Sequence, residues 1–314
     1  MNRDIGVFVN LERPRYSLIR DEVLTAERLG FDSVWLSDHV SGLVGNPANP
    51  FYECWTTTSA LASETQRIRL GQLVMCTPFR HPPMVAKMGA TLDSISDGRL
   101  ILGLGAGWAE DEFKAYSYPF EKSSTRVRRV SEATQIIRKM WTEEKSSFKG
   151  RHYEIDNAYC YPKPVQKPHP PLMIAGSGGQ LTLKAVARYA DWSNFTAWFG
   201  STEEFSGKVD VLNRHCDAVG RDIGEITKSF AVYVLIGDDR AEAEKKEDYF
   251  NDTMFKRWGA EFDKKAPLRG TPEDIIQQIG EYRVAGVDYF IVRFMGGDFD
   301  REATVFTEQV LPEI

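Results

Sequence analysis

Apolar and polar positions along this chain follow two interleaved rhythms, short aliphatic runs and longer stretches with apolar residues three and four apart. Ile5–Val9 opens as a strand. Tyr16–Leu29 follows with Leu18, Val23, Leu24, Ala26 and Leu29 at helical spacing and stops at Gly30. The same alternation predicts a strand over Asp32–Ser37, a helix over Trp55–Ser63 and a strand over Ile68–Val74. A helix over Met84–Ile95, closed by Asp97-Gly98, then leads to a strand over Leu100–Leu104. The rhythm pauses at a long amphipathic helix, Val127–Trp141, and an extended hairpin and loop, Ser147–Pro171. The prolines of that loop exclude both a helix and a central strand.

Alternation resumes with a strand at Leu172–Ala175, a helix from about Leu181 to Tyr189, a strand at Asp191–Phe195 and a helix at Phe205–Val219. Lys228–Ile236 is a strand and Arg240–Phe250 a charged helix, followed by a polar, poorly patterned stretch, Lys256–Arg269. Thr271-Pro272-Glu273 starts a helix, with Thr at the N-cap and acids near the positive end, that runs to Gly286. Val287–Phe294 is the last strand and Glu302–Val310 the closing helix. Eight strands, each followed by a helix, predict a single (β/α)8 TIM barrel over residues 1–314. An insertion at about 108–171 is expected to lie over the carboxyl rim. A doubly wound sheet is the alternative reading.

Composition narrows the function. A hydrophobic content of 42% suffices for a core without metal or disulfide staples, and a net charge of −6 argues against nucleic-acid binding. The cysteines (54, 76, 160, 216) form no CxxC pair, which suits reduced thiols. The first residues lack an apolar signal core and no apolar run has membrane length, so a cytoplasmic protein without membrane contact is expected. The five histidines show no metal-ligand spacing, so no metal is expected.

In such a barrel, chemistry collects at the carboxyl ends of the strands. Asp38-His39 closes the second strand, where an imidazole can relay a proton or hold a reacting group. Gly103-Leu-Gly-Ala106-Gly107-Trp108 ends the fourth. It places Trp108 where a dinucleotide turn requires glycine, and Glu110-Asp111-Glu112 would repel a pyrophosphate. A flat ring packed on glycine backbone, with Trp108 as a wall, fits better. Gly176-Ser177-Gly178-Gly179-Gln180 follows the fifth strand and opens a helix with no nearby acid, a suitable anion site. Arg126, Arg128, Arg129 and Glu132 read as a solvated helix face.

Several long stretches in a fixed order resemble the bacterial-luciferase-like superfamily, in its coenzyme F420-dependent branch. They are Gly30–His39, Leu102–Phe113, Pro162–Pro171, Tyr189–Trp192, Gly270–Asp274 and Ala285–Phe290. The resemblance implies a planar cofactor at the carboxyl rim, a non-prolyl cis peptide at Leu73–Val74 behind its ring, and contact of Asp38 and His39 with ring or substrate. It also implies that Gly176–Gly179, through Ser177 and Gly178, hold a phosphate. Ala106, Gly107 and Trp108 join the cofactor wall. Trp108 departs from the sugar-phosphate dehydrogenase branch, which has a glutamate there. The expectation is an F420-dependent oxidoreductase that moves a hydride to or from a small organic substrate, with His39 as its catalytic residue, working as a homodimer. The alternatives are an FMN-dependent monooxygenase served by a flavin reductase, and a non-catalytic cofactor-binding protein.

Overall fold

In the computed structural model, which describes residues 4–42, 46–258 and 266–314, eight parallel strands close into a barrel. They are β1 (Ile5–Phe8), β2 (Ser33–Leu36), β3 (Arg69–Gln72), β4 (Leu100–Gly105), β5 (Leu172–Ala175), β6 (Trp192–Trp198), β7 (Thr227–Ile236) and β8 (Tyr289–Phe294). Each pairs with the next in order. The pairing of β8 with β1, through Ile5↔Phe290 and Gly6↔Ile291, completes the ring and eliminates the doubly wound sheet.

Helices α1 (Tyr16–Leu29), α2 (Cys54–Glu64), α3 (Pro82–Ile95), α4 (Ser123–Thr142), α5 (Thr182–Tyr189) and α6 (Thr202–Asp217) follow the first six strands. After β7 come α7 (Arg240–Trp258) and α8 (Pro272–Val284), and after β8 comes α9 (Phe299–Val305), which continues through Val310 as a π-helical turn. Local chemistry sets the boundaries. Gly30 ends α1 at φ 85°, a left-handed conformation that costs glycine nothing. Thr271 and Asp274 form a reciprocal capping box that starts α8, and Ser201 and Glu204 do the same for α6.

The barrel interior is closed at its amino end. Trp35 lies across it, 5.9 Å from the Trp192 ring, with Trp192 in turn 4.8 Å from Tyr289. Its Nε1 donates to Ser33 Oγ at 2.6 Å, and that hydroxyl is 2.5 Å from Tyr289 OH. A Cβ on either Gly6 or Gly71 would collide with the Trp35 side chain, so these two glycines make room for the indole. Burying so large a ring contributes about 2–3 kcal/mol and leaves open volume only at the carboxyl mouth.

Three departures from the sequence expectations bear on that mouth. The third strand is not continuous to Val74. It ends at Gln72, the Leu73–Val74 peptide is cis as the family resemblance implies, and Met75–Cys76 then pairs with the end of β4. A short strand, Leu268–Gly270, lies parallel to the end of β7 inside the stretch read as poorly patterned; residues 259–265 of that stretch fall outside those described.

The expected rim insertion divides in two. Trp108, Ala109, Glu112 and Phe113 border the mouth, and α4 occupies the ordinary place of a barrel helix, packed on α3. The hairpin Ser146–Lys149/Glu154–Ala158 lies against α4 instead, its turn held by Glu132 Oε1 and Oε2 at 2.9–3.1 Å from the N–H groups of Arg151, His152 and Tyr153. The proline segment reaches the amino end, where Gln166 Nε2 donates to Leu100 O at 2.8 Å. It has to go there, because β5 starts at that end.

Candidate active site

The carboxyl mouth holds a cavity of about 1030 Å³, bordered by every residue nominated from the sequence. Strand ends β2, β3, β4 and β5 contribute His39, Leu73-Val74, Ala106-Gly107-Trp108 and Gly176–Gly179 respectively. The strand ends of β1, β6, β7 and β8 supply a second, mostly aromatic half through Phe8, Trp198, Tyr233 and Arg293.

His39 is oriented by a carboxylate. Its Nδ1 lies 2.7 Å from Glu112 Oε2, while Glu112 Oε1 accepts from Val40 N at 2.8 Å and Ser41 N at 3.3 Å. The Glu112 side chain is only 5% exposed, so its remaining interactions must come from protein, and His39 supplies the principal one. A carboxylate that already accepts two backbone N–H groups accepts the Nδ1–H of the imidazole. Nε2 is then left with no partner among the described residues, as a proton acceptor. The Phe51 and Trp108 rings stand edge-to-face with His39 at 5.7 and 5.9 Å and fix the ring plane. Glu112 sits in the acidic run read only as repelling a pyrophosphate. It faces inward beside the fully buried Phe113, and a six-residue helix is too short for periodicity to reveal which acid does so.

Asp38 borders the same cavity and is held by protein partners. Its carboxylate is fully covered and accepts from Cys76 N at 2.9 Å and from Arg80 Nη1 and Nη2 at 2.6 and 3.0 Å. It ties the end of β2 to the displaced continuation of β3. Arg80 also bonds Glu53, which caps α2 by accepting from Trp55 N and Thr56 N. Burial opposes the Arg80 charge, yet the Asp38 and Glu53 carboxylates outweigh it and hold its pKa above the ordinary value. Burial, reinforced by Asp38, raises the Cys76 thiol, which stays protonated and unreactive.

The glycines of β4 make room for the end of β3. A Cβ on Gly103 would stand 2.9 Å from Val74 Cγ1 and against the Gln72 carbonyl, and one on Gly105 would overlap Val74 Cγ2. The backbone is bare there so that the kinked end of β3 can settle against β4, and through it Val74 reaches the cavity floor. Gly107, at φ 73°, would put a Cβ 2.7 Å from both Cys76 Sγ and Phe113 Cζ. Arg126, read as part of a solvated face, is buried. It donates to the carbonyl of Ala106 at 3.2 Å and stacks 4.0 Å over Phe120, pinning this glycine segment from α4. Arg128 of the same run is exposed, as expected.

The Gly176–Gln180 turn is built for an anion. Gly176 N donates across to Asn194 O at 3.0 Å, but the N–H groups of Ser177, Gly178 and Gly179 have no partner among the described residues. Two α6 side chains hold the carbonyls of the turn from behind, Lys208 Nζ at 2.6 Å from Ser177 O and His215 Nε2 at 2.8 Å from Gly179 O. The intervening N–H groups stand at the cavity border near the start of α5, whose first turn carries no acid.

A family described as luciferase-like monooxygenase matches residues 4–289. The chain belongs to that family. Among its relatives, an F420-dependent glucose-6-phosphate dehydrogenase of Amycolatopsis mediterranei (strain U-32) is 27% identical over 310 residues, covering 92% of each chain. An FMNH(2)-dependent dimethylsulfone monooxygenase of Pseudomonas putida is 26% identical over 319 residues, covering 91% of this chain and 85% of the other. A solved structure of an F420-dependent secondary alcohol dehydrogenase in complex with an F420-acetone adduct superposes with a TM-score of 0.82 at 21% identity, covering all of both chains, and so shares the fold. No helix among the described residues is long and apolar enough to cross a membrane.

Proposed function

We propose that this member of the family is an F420-dependent oxidoreductase that exchanges a hydride with a small organic substrate. The observation that carries the reading is the pairing, across one cavity, of an anion-accepting turn at Ser177–Gly179 with an imidazole at His39 whose free nitrogen faces inward. The residues fit a tricyclic cofactor with a phosphate. The volume of about 1030 Å³ is at the upper end for small-molecule sites, and the turn offers three N–H groups with no opposing acid. When bound, the deazaflavin supplies the carbon that accepts or releases hydride.

The protein's own part is orientation and proton handling. Val74 and Leu73 shape the floor beneath the ring, and Ala106, Gly107 and Trp108 bound it at the β4 side. Ser177, Gly178 and Gly179 anchor the phosphate. His39 Nε2 takes the proton from a substrate hydroxyl or returns it to a carbonyl, and Glu112 stabilises the imidazolium formed in between. His39→Ala should therefore slow turnover while leaving cofactor affinity within about twofold, which separates an enzyme from a carrier.

The similarity to an FMNH(2)-dependent monooxygenase supports a second reading, in which the same turn holds the phosphate of FMN. Titrating the purified protein with F420 and with FMN separates the two. Micromolar F420 binding is expected, and micromolar FMN binding without F420 binding would overturn the proposal.

A further inference from the structure

We infer that the aromatic part of the cavity, at the strand ends of β1, β6, β7 and β8, receives a neutral substrate with a flat apolar body, an aryl ketone or the corresponding carbinol, and not a phosphorylated sugar. The inference rests on the proposed function for the placing of cofactor and substrate, but its evidence lies in residues that reading did not use. Trp198 and Tyr233 stack at 4.9 Å and 19°, Phe8 meets Trp198 edge-on at 5.0 Å, and Phe199 meets Tyr233 at 4.9 Å. Together they make a rigid aromatic wall, and His39 borders the same cavity with Phe51 and Trp108 beside it.

Electrostatics point the same way. Arg293 is the only Lys or Arg lining the cavity among the described residues, and its guanidinium lies over the rings of Phe8, Trp198 and Tyr233 at 4.9, 5.4 and 5.6 Å. Cation–π contact of this kind stiffens the aromatic wall. Against that one cation the cavity carries Glu12 and Glu112, besides the Asp38 carboxylate already paired with Arg80. Among the described residues a phosphate dianion would meet more negative than positive charge, whereas a neutral aromatic body would stack on Trp198 and present its oxygen to His39.

The backbone gives an independent indication. Trp198 has φ 76°, a left-handed conformation disfavoured for a bulky residue, at the carboxyl end of β6. Strain of this kind is retained where a side chain must be aimed, and here it aims an indole into the cavity.

The test is calorimetric titration of 2-acetylnaphthalene, and separately of glucose 6-phosphate, into the protein with and without F420. The ketone should bind the loaded protein at micromolar concentration, glucose 6-phosphate at least tenfold more weakly. Trp198→Ala should weaken the ketone tenfold or more, Trp198→Phe should restore most of that loss, and F420 affinity should stay within twofold in both. Ketone binding below detection, preference for glucose 6-phosphate, or indifference to Trp198→Ala in a protein that still melts cooperatively would overturn the inference. Should F420 fail to bind while the ketone still binds through Trp198, the proposed function falls and the aromatic compartment stands.

Discussion

Gly105→Ala probes the contact on which the shape of the cavity floor depends. The new Cβ would overlap Val74 Cγ2, whereas the next neighbours, Val74 Cβ and Met75 O, lie at an ordinary 3.6 and 3.9 Å. One methyl group on one side chain is therefore the whole obstacle. Forcing an extra carbon into a packed site of this kind costs about 1–3 kcal/mol. At about 2 °C per kcal/mol for a chain of this size, the melting temperature should fall by about 2–6 °C. Because Val74 borders the cavity, F420 affinity should drop about tenfold as the valine is pushed off its position. Val74→Ala removes the obstructing methyl, so in that background Gly105→Ala should cost less than about 0.5 kcal/mol. Thermal melts and F420 titrations of the four proteins complete the cycle. Equal cost of Gly105→Ala in both backgrounds, or no cost in either, would refute the claim that β4 is bare in order to receive Val74.

Three further outcomes follow from other contacts. Glu112→Gln offers one acceptor where the carboxylate offers two, so it leaves either His39 Nδ1–H or the Val40 N–H unpaired; kcat should fall about 10- to 100-fold, equivalent to about 1.4–2.7 kcal/mol, with F420 affinity unchanged. Lys208→Met releases the Ser177 carbonyl and should weaken F420 about three- to tenfold in a titration, while an exposed control such as Arg128→Met should not. Burial works against the Glu53 carboxylate, but bonds from Thr56, Trp55 and Arg80 prevail and lower its pKa below the ordinary 4.5. Its contribution is therefore present above that value and lost as pH falls through the lowered one, so urea melts of Glu53→Gln should show a shallower acid decline than wild type.

The parts of the molecule legible in the sequence are those governed by local rules. The helix Tyr16–Leu29 has its period and its stop in adjacent residues, and Leu172–Ala175 is an apolar run between a proline and a glycine, so both are observed at the expected residues. The residues nominated for the site came together for the same reason: each ends a parallel strand, and closure of the barrel brings those ends to one rim. What escaped depends on neighbours distant in sequence. The cis bond at Leu73–Val74 is implied by the family resemblance, but not that glycines at 103 and 105 make room for Val74, because neither segment alone reveals the other. Glu112 acquires its role only opposite His39, Asp38 gains its partner only where Arg80 reaches it, and Arg126 is buried only because α4 meets the Ala106 carbonyl. The strand Leu268–Gly270 is three residues long, too short to show a period.

The measurement that bears most directly on the account is a crystal structure of the protein with F420. The ring should lie at the carboxyl mouth over Leu73 and Val74, with its phosphate about 3 Å from the N–H groups of Ser177, Gly178 and Gly179 and His39 Nε2 facing the remaining open volume. A ring seated elsewhere, or a phosphate bound away from that turn, would contradict it.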